Sequence, residues 1–218
     1  QEAQKLAVGT LWHLSMVDFN KGKMVEAGVI PALVTVLDSE ADEAREHAVA
    51  VISTLTRSHG ANKKTVAQAG GIKPLIQLLT DPSIKTQKHA ACALWSLSDG
   101  KDGIYDKQMV EEGLVPPLIG MLLQNEPTTV GFAAACLSCC CADPTARKGI
   151  VEAGGVSPLL GLLHQPNTWL SDQAKTMLKL LNIPFTEPDR VSPRSIISPR
   201  TQRSGYSPPL SATKTLPI

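Results

Sequence analysis

The feature that most constrains this chain is a repeat with a fixed internal distance. Four segments align on a glycine: EAGVIPALVTVL from Glu26, QAGGIKPLIQLL from Gln68, EEGLVPPLIGML from Glu111 and EAGGVSPLLGLL from Glu152. The aligned glycines, Gly28, Gly70, Gly113 and Gly154, lie 42, 43 and 41 residues apart. A second segment recurs between them: AVGTLWHL from Ala7, AVAVISTL from Ala48, AACALWSL from Ala90, AAACLSCC from Ala133 and AKTMLKLL from Ala174. From each glycine to the next such alanine is always 20 residues, so every length change falls in one connection. A rigid unit joined by a tolerant surface loop has this signature.

The residues of one unit predict three helices. A first, short helix ends at the glycine, which takes a left-handed cap conformation at little cost. A proline follows within four residues (Pro31, Pro74, Pro116, Pro158), as suits the first turn of a second helix. That helix carries apolar residues three and four apart, such as Leu75, Leu78 and Leu79. A third helix presents Ala7, Leu11 and Leu14, or Ala90, Leu94 and Leu97, as one stripe expected to be buried. One unit cannot bury both sides of its helices, whereas stacked units can. The expected fold is therefore all-α, a right-handed solenoid. Its first unit has a third helix alone, so further repeats are expected upstream of Gln1.

The pattern x-A-G-[GV]-I-x-P-L-I-x-L-L followed by A-A-x-A-L-x-x-L resembles the armadillo repeat, from Gln1 to about Ile183. The resemblance implies an armadillo superhelix whose third helices line a concave groove that binds partner proteins. It divides the chain into an array over 1–183, one partial repeat plus four three-helix repeats, and a tail over 184–218. In the best-known armadillo proteins, importin alpha and β-catenin, an asparagine on the third helix clamps a peptide backbone. Importin-type repeats add a tryptophan four residues earlier. Here the asparagine slot holds His13, Thr54, Ser96, Cys139 and Leu180, and the tryptophan slot holds Gly9, Ala50, Cys92, Ala135 and Thr176. Nuclear-localisation-signal binding of the importin kind is not expected.

Seven residues is two helical turns less about 20°, so the residue seven before the asparagine slot shares its face. It is Leu6, His47, His89, Phe132 or Gln173. The groove so read has a floor of small residues. Its rim is polar in the middle (His47, Thr54, His89, Ser96) and apolar toward the C-terminal end (Phe132, Leu180). With His13 and Cys139, these are the candidate protein-binding residues, and Ser96 with His89 are expected on an exposed face. The occupant is either a partner segment or another part of the parent protein. Trp12 and Trp95, one before the asparagine slot, are expected to pack on a neighbouring helix.

Other signals exclude more than they add. The hydrophobic fraction is 43% with aromatics at 4%, a composition of closely packed helices. No apolar run is long enough to span a membrane. No signal peptide opens the chain, and since Gln1 is not Met and falls inside a helical pattern, the chain is expected to be a fragment of a longer protein. Five cysteines, most of them bunched, are unlike a disulfide framework and point to cytoplasm or nucleus. Cys136, Cys139, Cys140 and Cys141 sit on one helix, which cannot aim four thiols at one tetrahedral ion. Cys140 takes a core slot, whereas Cys139 is expected to face the groove and be open to oxidation. No catalytic, phosphate-binding or cofactor motif is present, so neither an enzyme nor a cofactor is expected.

The C-terminal stretch over 183–218 holds Arg190, Arg194, Arg200, Arg203 and Lys214 against Glu187 and Asp189, in a chain of net charge +1. The array is thus slightly acidic, and no nucleic-acid partner is expected. The tail is rich in Ser, Pro and Arg and is expected to be disordered. Its Ser-Pro pairs at Ser192, Ser198 and Ser207 are candidate phosphorylation sites, or parts of an inert linker. The function these features imply is a protein–protein scaffold or adaptor. Two alternatives are the substrate-recognition module of a U-box-type ubiquitin ligase and an organelle-membrane-tethered armadillo adaptor.

Overall fold

A computed structural model of the chain describes residues 2–58, 60–98 and 104–186. The tail, with Ser192, Ser198 and Ser207, lies outside the described residues. Among those described, the regular structure is helical throughout. A lone helix α1 (Glu2–Ser15) is followed by α2 (Asp18–Glu26), α3 (Val29–Val36) and α4 (Asp42–Ser58). The next triplet is α5 (Gly60–Gln68), α6 (Ile72–Gln77, extended by a tighter turn over Leu78–Thr80) and α7 (Ile84–Ser98). Then come α8 (Ile104–Glu111), α9 (Val115–Leu122) and α10 (Pro127–Cys140), and finally α11 (Pro144–Glu152), α12 (Val156–Leu162) and α13 (Thr168–Leu180).

The first-to-second helix junction is set by backbone chemistry. Gly28, Gly70, Gly113 and Gly154 all have positive φ. This is the left-handed region expected of them, open to a residue without a Cβ. At Gly70 the amide donates to the Ala67 carbonyl at 3.0 Å, and the next amide, of Gly71, reaches back to the Val66 carbonyl at 2.9 Å. This pair of bonds satisfies two of the carbonyls that a helix end leaves open. The same pair recurs at Gly113/Leu114 and Gly154/Gly155, and again after α13, where Asn182 (φ 56°) replaces glycine. Asparagine is among the few other residues that adopt this conformation readily. Gly155 has a second role: a Cβ there would stand 2.5 Å from Ile119 Cδ1, so its bare backbone lets α12 approach α9.

The third helices α4, α7 and α10 stack in sequence, flanked by α1 and α13. One apolar core runs along the stack, from Val8 through Leu94 and Leu97 to Leu178. Polar ties between successive repeats reinforce it. Arg45 spans to Asp81 at 3.1 Å and donates to the Ser39 carbonyl at 2.7 Å, and Gln124 donates to Gln87 at 2.6 Å. The stripe Ala90, Leu94 and Leu97 is buried as expected, but Ala7 and Leu14 are exposed and Leu11 is half-buried. The stripe on α1 is left open, as expected of a unit with a third helix alone: among the described residues no helix precedes α1 to cover that face.

Candidate protein-binding groove

The groove face of the third helices is held together by a pairing that links α1 to α4, α4 to α7 and α7 to α10. The residue before the asparagine slot meets the residue seven before that slot one repeat on. Trp12 stacks on His47 with ring centroids 5.3 Å apart and an interplanar angle of 16°. The Ser53 hydroxyl lies 3.4 Å from His89 Nδ1. Trp95 packs against Phe132 at 6.0 Å. Both tryptophans therefore bridge to a neighbouring helix, as expected. The histidines also have a packing role that helical angle alone does not reveal. Gly9 fits this contact, since a Cβ there would lie 3.4 Å from the His47 ring.

This pairing changes the candidate set. His13 is exposed, its Nδ1 2.8 Å from the Gly9 carbonyl oxygen. His47 and Thr54 are half-buried. His89 is also half-buried. Burial, reinforced by Lys88, Arg57 and Lys85, pushes its pKa down to about 4, leaving it neutral at pH 7. Ser96 corrects the expected exposed face. It is buried, at 5% exposure, and its hydroxyl donates to the Cys92 carbonyl at 2.9 Å. Phe132 is likewise buried, so it forms a wall of the groove more than a rim.

Cys139 lies close to Trp95 and Asp106, outside the hollow described next, and burial raises its thiol to about 11. A thiol held protonated is a poor nucleophile. Cys136, Cys140 and Cys141 are buried, with Cys136 and Cys140 both near the Ser98 hydroxyl at 3.8 and 4.0 Å. They are core thiols.

Thr54, His89 and Phe132 come together in one place. They line a hollow of about 130 Å³, open to solvent, on the face of α1, α4, α7 and α10. Reasoning from periodicity missed the three cationic members of its lining: Lys21 on α2, Arg57 one turn beyond Thr54, and Lys88 beside His89. They occupy none of the aligned slots, so the repeat pattern carries no signal for them.

A stack of helical triplets with a third-helix groove defines an α-solenoid. Its parts have known counterparts. The family model described as Armadillo/beta-catenin-like repeat matches residues 20–57 and 61–99. Those two segments are armadillo repeats, and the rest of the array shares their fold. It is similar to Vacuolar protein 8 of Saccharomyces cerevisiae, with 28% identity over 150 residues, covering 67% of this chain and 25% of that protein. It also resembles U-box domain-containing protein 11 of Arabidopsis thaliana, with 38% identity over 79 residues, 36% of this chain and 12% of that protein. The chain thus spans a quarter or less of these two relatives. Among solved structures, a computationally designed armadillo repeat protein for modular peptide recognition superposes with a TM-score of 0.73 at 26% identity, covering 83% of this chain and 76% of that one. The fold is the right-handed armadillo superhelix.

Proposed function

We propose that this chain is a protein–protein scaffold that holds a segment of a partner protein in the groove of its third helices. The observation that carries the reading is the hollow itself, an open concavity built by four successive repeats on that face. A solenoid of this kind offers an extended surface to an extended ligand. The design that shares its fold is described as made for modular peptide recognition, which supports the same use here. The array over 1–183 is the binding unit, and the tail over 184–218 is an appendage whose Ser-Pro sites are open to regulation. Unpaired thiols fit a reducing compartment, cytoplasm or nucleus.

Likeness to a protein named for its U-box favours one second reading, substrate recognition within a ubiquitin ligase. A U-box encoded upstream of Gln1 would decide for it.

Blocking the hollow tests the scaffold reading. Thr54→Tyr with Thr128→Tyr places bulk inside it, whereas Gln77→Tyr with Thr80→Tyr places the same bulk on exposed positions around the second helix of the middle repeat. Binding of a partner purified from the native source should fall at least about tenfold with the first pair and stay unchanged with the second. The reverse pattern would overturn the groove reading.

A further inference from the structure

The hollow exists because one slot is empty of bulk. The position before the asparagine slot holds Trp12 in one repeat and Trp95 two repeats on, but Ser53 between them. Ser53 is buried at the wall of the hollow, and Trp12 and Phe132 also line it. An aromatic-walled gap of this kind accepts a large apolar side chain.

Its charge is one-sided. Lys21, Arg57 and Lys88 line the hollow and no carboxylate does. Lys21 is held by Asp18 at 2.6 Å. Among the described residues, Arg57 and Lys88 have no ion-pair partner. The Arg57 Nε is buried with no hydrogen-bond acceptor. A buried donor left unpaired is costly, and an arriving carboxylate oxygen removes that cost. The depressed pKa of His89, to which Lys88 and Arg57 both contribute, reports the same positive field.

We propose that this hollow seats an acidic segment of a partner protein, with an apolar side chain over Ser53 and flanking carboxylates on Arg57 and Lys88. The inference rests on the groove reading above and adds the partner's chemistry. Guanidinium pairs with carboxylate in two-pronged fashion, which favours an ordered acidic ligand over a diffuse one. The chain's own C-terminal region has the wrong sign, with five cations against two acids. A nucleic acid needs a basic stripe that follows many phosphates, and the array as a whole is slightly acidic.

The probe is a random twelve-residue peptide library displayed on phage and selected on the full chain. Selected peptides should be enriched in Asp and Glu around a large apolar residue. By fluorescence anisotropy at 150 mM salt, Arg57→Gln with Lys88→Gln should weaken them at least about tenfold, and Arg57→Lys should weaken them less. Ser53→Trp should abolish binding with both cations kept. Thermal melts report folding, and if Ser53→Trp does not fold, Thr128→Trp fills the hollow from an exposed position. Neutral or basic peptides that are lost with Ser53→Trp but indifferent to the charge variants would overturn the acidic ligand and leave the groove reading intact. Peptides indifferent to all these variants, or no peptides at all, would overturn both. Tighter binding of a twelve-nucleotide oligo-dT would assign the site to nucleic acid. A gain of tenfold or more on deleting 187–218 would assign it to the tail.

Discussion

Helices α1 and α7 carry the same motif, AVGTLWHL and AACALWSL, yet they live in different surroundings. Val8 and Ser15 are buried as their counterparts Ala91 and Ser98 are. In contrast, Leu14 is 43% exposed where Leu97 is sealed, and Ala7 is exposed where Ala90 is sealed. Leu6 takes the slot through which His47 and His89 reach the preceding repeat, and it is 63% exposed. An armadillo helix is thus amphipathic in two directions, one face for each neighbour. Sequence period reports both faces equally, and only the neighbour decides which is buried.

Deleting the same methyl groups in the two helices should expose this difference most. Leu97→Ala should cost roughly 2–5 kcal/mol in urea unfolding, and Leu14→Ala below about 1 kcal/mol. Equal losses would mean that α1 is as tightly held as α7.

The pH dependence of α7 should come next. The folded-state pKa of His89 is depressed to about 4, below its unfolded value of 6.5. The unfolded chain therefore takes up this proton first, and stability is lost as pH falls from 6.5 toward 4. The loss traceable to His89 should approach roughly 3 kcal/mol. It is read as the difference in unfolding free energy between pH 7.5 and 4.5 for the native chain and for His89→Gln. A slope that survives in His89→Gln would place the titration elsewhere.

Backbone terms should not distinguish the ends from the middle. Gly28 between α2 and α3 and Gly113 in the middle of the array are both left-handed with open space where a Cβ would go. Gly28→Ala and Gly113→Ala should each cost about 1–2 kcal/mol. If the cost at Gly28 is much smaller, the first repeat is frayed. Gly120, helical within α9 and unobstructed, should go the other way. Gly120→Ala should raise stability by about 0.5–1 kcal/mol. Smallest is Asn182→Gly, a gain of a few tenths of a kcal/mol in the same assay, because the left-handed strain at the end of α13 is slight.

The division between what could be read in the residues and what could not follows the range of the forces involved. The left-handed glycines and first-turn prolines were legible because their preferences reside in one residue. Leu94, Leu97 and Cys140 were legible because they repeat. Ser96 was placed on an exposed face by its angle, but angle does not tell how closely the next third helix approaches. The packing role of His47 and His89 was not legible because their partners, Trp12 and Ser53, lie a full repeat earlier in the chain. Arg57 and Lys88, which give the hollow its charge, belong to no repeated slot at all.

The cross-repeat bond from Arg45 to Asp81 has a mechanical consequence. It joins one repeat to the next and nothing beyond, as does the Gln124–Gln87 bond. No strand or crosslink among the described residues ties the two ends together. Pulled from its ends, such an array behaves as a chain of springs in series, and every joint carries the full load. The weakest joint yields first, and each lost repeat releases roughly 14 nm of contour. Tension would therefore spoil a site built from four successive repeats long before the whole chain is drawn out.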